Sequence, residues 1–155
     1  MLEKTLVILK PSAVQRGLIG EVIGRFEKKG LILAGLKMAV LSDEVLSEHY
    51  SHLKGDEQLF NRVKNSMKLC PVIVCCLKGN DVVKVVRTLT GVTNSRNAQP
   101  GTIRGDLSVS ILENIIHASD SPESAEFELK QFFNENEIFD YDLRLLPNLY
   151  AVNEI

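Results

Sequence analysis

Tryptophan is absent from these 155 residues, and aromatics of every kind make up only 6%. Cysteine is scarce as well. Cys70, Cys75 and Cys76 are odd in number and show no C-x-x-C spacing. That excludes a disulfide framework and a zinc site, and points to reduced thiols in a cytoplasmic protein. Neither sign of charge dominates: 18 Lys and Arg stand against 20 Asp and Glu, a net charge of -2. With no global basic field, nucleic acid is at most a secondary partner, and any anion site must be a local cluster of cations. No apolar run approaches the roughly 18 residues needed to span a bilayer. The first ten residues lack the basic start and the apolar length of a secretory signal, so no membrane partner is expected. Familiar phosphate and metal motifs are missing too. No glycine precedes a lysine, which removes a Walker A loop, and there is no G-x-G-x-x-G, H-E-x-x-H or EF-hand loop. If phosphates bind here, side chains rather than a glycine cradle must hold them.

What is present is an ordinary globular composition, 45% hydrophobic and 25% charged. The length predicts one domain over residues 1–155 that buries roughly 70% of its unfolded surface. No linker, repeat or low-complexity stretch interrupts it. Thr5 to Leu9 reads as a buried strand that stops at Lys10-Pro11, because the residue before proline is pushed to extended geometry. Leu18, Ile19, Val22, Ile23 and Phe26 recur at helical spacing, with Gly30 suited to the C-cap. Leu31 to Leu41 reads as a second strand with Lys37 facing solvent. Ser42 is placed to cap a helix carrying Val45, Leu46 and Tyr50. A further helix is expected over Leu59 to Met67. Pro71 to Leu77 is a central strand, and Asn80 is a candidate cap for a helix that Gly91 ends. Val92 to Ser110 has no periodicity and reads as a long ordered loop, a feature that is usually functional. Asn114 to His117 is a short strand. Ser121-Pro122-Glu123 starts a helix running to about Phe133. The tail, 134–155, is expected to pack on the body or on a neighbouring subunit. This order is best explained by a βαββαβ core with added helices.

Three histidines are available for chemistry. His49 and His52, three apart beside Glu48, read as solvated helix-end residues rather than metal ligands. His117 follows two isoleucines and precedes Ala118-Ser119-Asp120-Ser121 and a helix start. On position alone, a hydrogen-bonded core histidine and a reactive one are both open. Ser119, Asp120 and Glu128 are the company that favours chemistry. Among the cations, Lys10 and Arg104 sit with turn-forming residues rather than on polar helix faces. Glycines on either side of Arg104 would let the backbone turn tightly and present its guanidinium. Arg87 lies on the helix that ends at Gly91.

The segments TLVILKP (5–11), QRGLIG (15–20), EHY (48–50), PGTIRGD (100–106) and NIIHASDS (114–121) together resemble the nucleoside diphosphate kinase family. The likeness runs from Thr5 to Phe133. It implies a ferredoxin-like antiparallel sheet flanked by helices. It also implies a ping-pong enzyme that moves the γ-phosphate of a nucleoside triphosphate to a nucleoside diphosphate, with Mg²⁺ and with low base specificity, in nucleotide metabolism. By resemblance, His117 is the nucleophile and Lys10 contacts the γ-phosphate and ribose hydroxyls. Arg87, Thr93 and Arg104 hold phosphates, and Asn114 the sugar. Tyr50 and Glu128 position the histidine, with Ser119 linked to Glu128. The metal is held by phosphates and water, with Asp120 acting at most through water. A homo-hexamer or homo-tetramer is implied. Which imidazole nitrogen attacks stays open.

The chain departs from the family pattern in four places. Ser12 stands where Asp is common. Ala118 stands where Gly is common, which places a methyl close to the nucleophile. Ser95 stands where Pro is frequent, which would loosen the loop. The stretch from Lys54 to Phe60 is one residue longer. Counting back from Pro71 puts Leu59 where an aromatic normally stacks on the base, so the base would lie between Leu59 and Ile111 with less stacking. Two competing functions are a regulatory module that binds nucleotide without turnover and a nucleic-acid-binding protein. The first leaves the coexistence of His117, Glu128 and the cations without a reason, and the second lacks a basic stripe.

Overall fold

The computed structural model describes residues 2–154. Among them, four strands form one antiparallel sheet in the order β2-β3-β1-β4. They are β1 (Glu3–Leu9), β2 (Ile32–Ala39), β3 (Val72–Gly79) and β4 (Ile116–Ala118). β1 and β3 are central, and their stretches Leu6–Leu9 and Val72–Leu77 are wholly apolar because helices cover both faces. Side chains alternate along a strand, and the two cores divide accordingly. Val7, Leu9, Ile73, Cys75 and Leu77 pack with Val22 and Phe26 of α2 (Ile19–Lys28) and with Val82 and Val86 of α5 (Val82–Thr90). Leu6, Ile8, Val74 and Cys76 face the other way, towards Leu46 of α3 (Asp43–His49), Met67 of α4 (Glu57–Met67) and Leu129 and Phe132 of α7 (Pro122–Phe132). This is a ferredoxin-like α/β fold, with α3 and α4 inserted between β2 and β3.

Several local expectations are met at the level of atoms. Ser42 Oγ accepts from Val45 N at 3.2 Å, and Ser121 Oγ from Ser124 N at 3.0 Å. Gly30 takes φ 95 at the end of α2, and Leu31 N reaches back to Phe26 O. Others are corrected. A short helix, α1 (Pro11–Gln15), follows β1 directly. α4 begins at Glu57 rather than Leu59, because Asp56 caps it by accepting from Leu59 N at 3.0 Å. Asp81, at φ 48, stands at the N-cap of α5, and Asn80 instead donates its side-chain amide to Glu154 O. The segment 92–110 contains a 3-10 turn (Ser95–Asn97) and a helix, α6 (Ile103–Leu107). Ser95 N donates to Ser110 O, a bond that proline could not make. Lys37 is half-buried: it lies 5.0 Å from the Phe133 ring centroid and pairs with Glu137 at 2.6 Å. A register shift between Leu33 and Gly35 alters the alternation, so Leu36 and Met38 are the residues that face solvent.

The stretch after α7 runs over the chain's own body. Phe139 N donates to Ala34 O and the Tyr141 hydroxyl to Leu33 O. Asp140 pairs with Lys78, and the Tyr150 hydroxyl accepts from Asn80 N. A last helix, α8 (Leu146–Leu149), sets Leu149 against Gly30.

Candidate active site

β1 ends at Leu9, opposite Ile116, and the chain beyond each strand turns away from the sheet. The pleat sends Ile116 and Ala118 into the core beside α5. It sends His117, opposite Ile8, to the other face, towards α3 and α7. Ala118 has ordinary extended backbone, so its methyl joins the core on the face opposite the His117 ring and needs no glycine conformation. Just before β4 the backbone is strained. Ile115 has φ 63, and Ile116 N bonds Asn114 O at 2.8 Å, closing a γ-turn about a β-branched residue. Such a conformation costs about 1–3 kcal/mol and persists only when its surroundings over-determine it. Here they do. Lys10 N donates to Ile115 O at 2.9 Å. The buried Arg104 guanidinium donates to Asn114 O, Ile116 O and Gly91 O, on both sides of the strained residue.

Arg104 reaches that position because α6 is bent tightly under it. Gly101 takes φ 92, and Thr102 Oγ1 caps α6 by accepting from Gly105 N. A Cβ on Gly105 would sit 2.0 Å from Gln99 O, so only glycine fits the close approach. Both glycines flanking Arg104 therefore have the use the sequence suggests. With Nε and one N–H of each terminal nitrogen committed, Arg104 keeps one N–H on each terminal nitrogen for a ligand. Burial, then the nearby Arg87 charge, pushes its pKa down to about 10. Lys10 Nζ donates to Asn114 Oδ1 at 2.7 Å, and Asn114 Nδ2 to Thr93 O at 3.0 Å. Burial and the Arg104 charge push Lys10 down to about 8, against an opposing pull from Glu113. This set is short of anions and suited to receive them.

His117 Nε2 lies 3.0 Å from Glu128 Oε2, and the Ser119 hydroxyl donates to the same oxygen at 2.7 Å. Burial favours the protonated Glu128. The hydrogen bond and charge of His117, the Ser119 bond and the His49 charge outweigh it and hold the carboxyl below its usual range. A carboxylate at Nε2 fixes the tautomer with its proton there and leaves the lone pair on Nδ1.

These groups share one cleft of about 650 Å³. Of the residues picked out in the sequence, Lys10, Tyr50, Arg87, Thr93, Arg104, Asn114, His117, Asp120 and Glu128 line it. Ser119 is sealed behind Glu128. Leu59 and Ile111 are not in its wall. Leu59 packs half-buried with Phe60 against the second core, and Ile111 lines a separate hollow with Arg62 and Arg96. The Tyr50 hydroxyl is buried without a partner among the described residues, and its ring meets His49 edge-on at 4.7 Å. The reading of His49 as solvated is overturned. It is 9% exposed, and its ring packs edge-on 4.6 Å from that of His117. The signal was available: His49 and Tyr50 follow the buried Leu46 by three and four positions, on one helix face. Burial, then the His117 charge, drives the His49 pKa down to about 4, so it stays neutral near pH 7.

The family model described as nucleoside diphosphate kinase matches residues 3–138. The chain belongs to that family. A curated relative from Parabacteroides distasonis, named nucleoside diphosphate kinase, is 66% identical over 153 residues, covering 99% of each chain. The nucleoside diphosphate kinase of Halobacterium salinarum, solved in complex with CDP, superposes with a TM-score of 0.93 at 36% identity, over 97% of this chain and 99% of that one. That of Borrelia burgdorferi, solved as a transition-state mimic with vanadate and ADP, superposes at 0.89 and 34% identity, over 95% and 96%. Membership of the nucleoside diphosphate kinase family makes the chain a phosphotransferase.

Proposed function

We propose that this chain, a single domain over residues 1–155, carries the γ-phosphate of a nucleoside triphosphate to a nucleoside diphosphate in two half-reactions through a phosphorylated His117. The observation that carries this reading is the 3.0 Å bond between His117 Nε2 and Glu128, in a cleft walled by Lys10, Arg87 and Arg104. Nδ1 attacks the γ-phosphorus in line, the bond to the β–γ bridging oxygen breaks, and the nucleoside diphosphate leaves. The ring becomes positively charged, and Glu128, oriented by Ser119, stabilises that charge much as a triad carboxylate does. The terminal oxygen of a second diphosphate then attacks phosphorus, the P–N bond breaks, and the imidazole returns to its starting tautomer. Arg104 and Arg87 suit phosphoryl oxygens because a planar guanidinium donates in pairs. Lys10 adds a point charge at the γ-phosphate and, with Asn114, holds the ribose. Thr93 supports the phosphates, and Tyr50 helps to position the histidine through His49, whose ring meets both.

The residues fit Mg²⁺ carried by the nucleotide: Lys10, Arg87 and Arg104 stand in the wall to meet phosphate oxygens, and Asp120 offers an exposed carboxylate whose pKa is lowered chiefly by a hydrogen bond from Ser124. Bound there, the ion would neutralise phosphate charge. Leu59 and Ile111 lie outside the cleft wall, so a base would meet them only where it extends past that wall, through apolar contact without hydrogen bonds, hence low base specificity. A homo-oligomer, hexamer or tetramer, is supported by the edge beside β2, where Leu36, Met38 and Val40 are 52%, 60% and 76% exposed in a row. No helix among the described residues is long and apolar enough to cross a membrane, and a cytoplasmic site of action agrees with the free cysteines.

Incubation with γ-labelled ATP and Mg²⁺ tests the reading. The wild-type chain is expected to take an acid-labile, base-stable label, and His117→Asn to lose it while still binding ADP. Binding of ATP by the wild type without any label would mean a regulatory module instead.

A further inference from the structure

Behind the nucleophile, three ligand-type side chains converge from three elements. His49 ends α3, His117 is the middle residue of β4, and Glu128 lies on α7. Each offers one nitrogen or oxygen, and these atoms all lie within 4.8 Å of one another. The His117–Glu128 pair is already 3.0 Å apart. Tetrahedral bonds of about 2.0–2.1 Å set their ligands roughly 3.3 Å apart, so this pair stands near bite distance and only His49 must close in. Glu128 also has a hydrogen-bonded outer partner, the usual support of a metal ligand, and His49 is held by packing. The Ser119 hydroxyl holds Glu128 at 2.7 Å, and the rings of Tyr50 and Phe132 pack edge-on against His49 at 4.7 and 5.2 Å. All three residues line the open cleft, so an ion can enter from solvent. Two imidazoles and one carboxylate suit zinc and its neighbours, whereas Mg²⁺ prefers oxygen donors and water.

We propose that His49, His117 and Glu128 form a site for a zinc-type divalent ion, and that the bound ion blocks phosphoryl transfer. Binding breaks the Nε2–H bond of His117 and forms a metal–Nε2 bond, and the proton passes through water to Nδ1, so the ring stays a neutral imidazole. Glu128 then neutralises the ion rather than the imidazole. The metal-bound ring has a proton rather than a lone pair on Nδ1, and the phosphorylated ring keeps its proton on Nε2 against Glu128, so ion and phosphoryl group exclude each other. Linkage makes the exclusion reciprocal: the phosphorylated chain binds the ion more weakly by the same factor. The blocking rests on His117 being the nucleophile; the site itself does not.

Two measurements on the full chain test this. In the first, Co²⁺ is the probe. The wild type is expected to develop the visible bands of tetrahedral cobalt, saturating at one equivalent. His49→Phe, which keeps an aromatic ring against Tyr50 and Phe132, is expected to show none. His49→Gln serves where the phenylalanine variant does not fold. In the second, buffered Zn²⁺ is added before Mg²⁺ and labelled ATP. The label on wild type should fall by about tenfold or more, and that on the His49 variant by less than about twofold. Absence of cobalt bands in a wild type that takes the label overturns the site and leaves the transfer reading standing. Equal cobalt binding by both His49 variants also overturns the site. Cobalt bands on a wild type that takes no label support the site and overturn the transfer reading, and the blocking with it.

Discussion

The back and the front of His117 are held by different kinds of bond. Behind it, side chain meets side chain: Ser119 to Glu128 to the imidazole, at 2.7 and 3.0 Å. In front, the cations are moored to the peptide backbone. Arg104 holds three carbonyls, Arg87 lies 3.4 Å from Ala118 O, and Lys10 reaches Leu112 O as well as the Asn114 amide. Two of the Arg104 carbonyls flank the strained Ile115. The phosphate grip and the strand that presents the nucleophile are therefore one mechanical unit. The carboxylate behind the ring tunes charge without holding any backbone in place.

That contrast can be attacked with variants. Arg104→Ala is expected to do the most damage. It strips donors from buried carbonyls around the γ-turn, at about 1–3 kcal/mol for each group left unpaired, and it removes a phosphate ligand. Both the urea midpoint and the phosphoryl-transfer rate should collapse. Glu128→Gln should slow transfer by about 100-fold, through loss of charge stabilisation, while the urea midpoint barely moves. If Glu128→Gln destabilises the fold as severely as Arg104→Ala, the distinction between back and front is wrong. Lys10 gives a pH signature for the front alone. Its folded pKa, about 8, lies below the ordinary 10.5. Between those values the unfolded chain binds more protons, so fold stability should rise with pH across that window. Nucleotide affinity should fall over the same range as the ammonium is lost, and both trends should vanish in Lys10→Met. The smallest effect is expected at the base. Leu59→Phe should tighten ADP binding by about 2–10-fold, from roughly 0.5–1.5 kcal/mol of stacking, without changing the rate of transfer. Equal ADP affinity of wild type and variant would show that Leu59 does not face the base.

The sequence carries the parts of the fold that rest on long repeating patterns. The buried strands β1 and β3 and the amphipathic helices α2 and α5 are plain from apolar runs and spacing. What escapes it is structure made by single tertiary bonds. α6 has only five residues, too few for periodicity, and exists because Thr102, Asp106 and Arg25 tie it down. β4 begins at Ile116, two residues later than the expected start at Asn114, since Ile115 is spent on the γ-turn. A bulge reverses which residues of β2 meet solvent. In the cleft, the residues beside turn signals, Lys10, Arg104, Asn114 and His117, could be picked out because their neighbours have few other uses. The burial of His49 was written in the helix period of α3 but hidden by its polar neighbours Glu48 and His52.

β1 does two jobs with one count of residues. Its alternating side chains sort themselves between two separate cores, and its last step delivers Lys10 to Asn114. Adding or deleting a single position between Thr5 and Leu9 would turn both allocations inside out and carry the lysine about 3.4 Å along the sheet. This stretch can drift in identity but not in length, and its spelling is far freer than its metre.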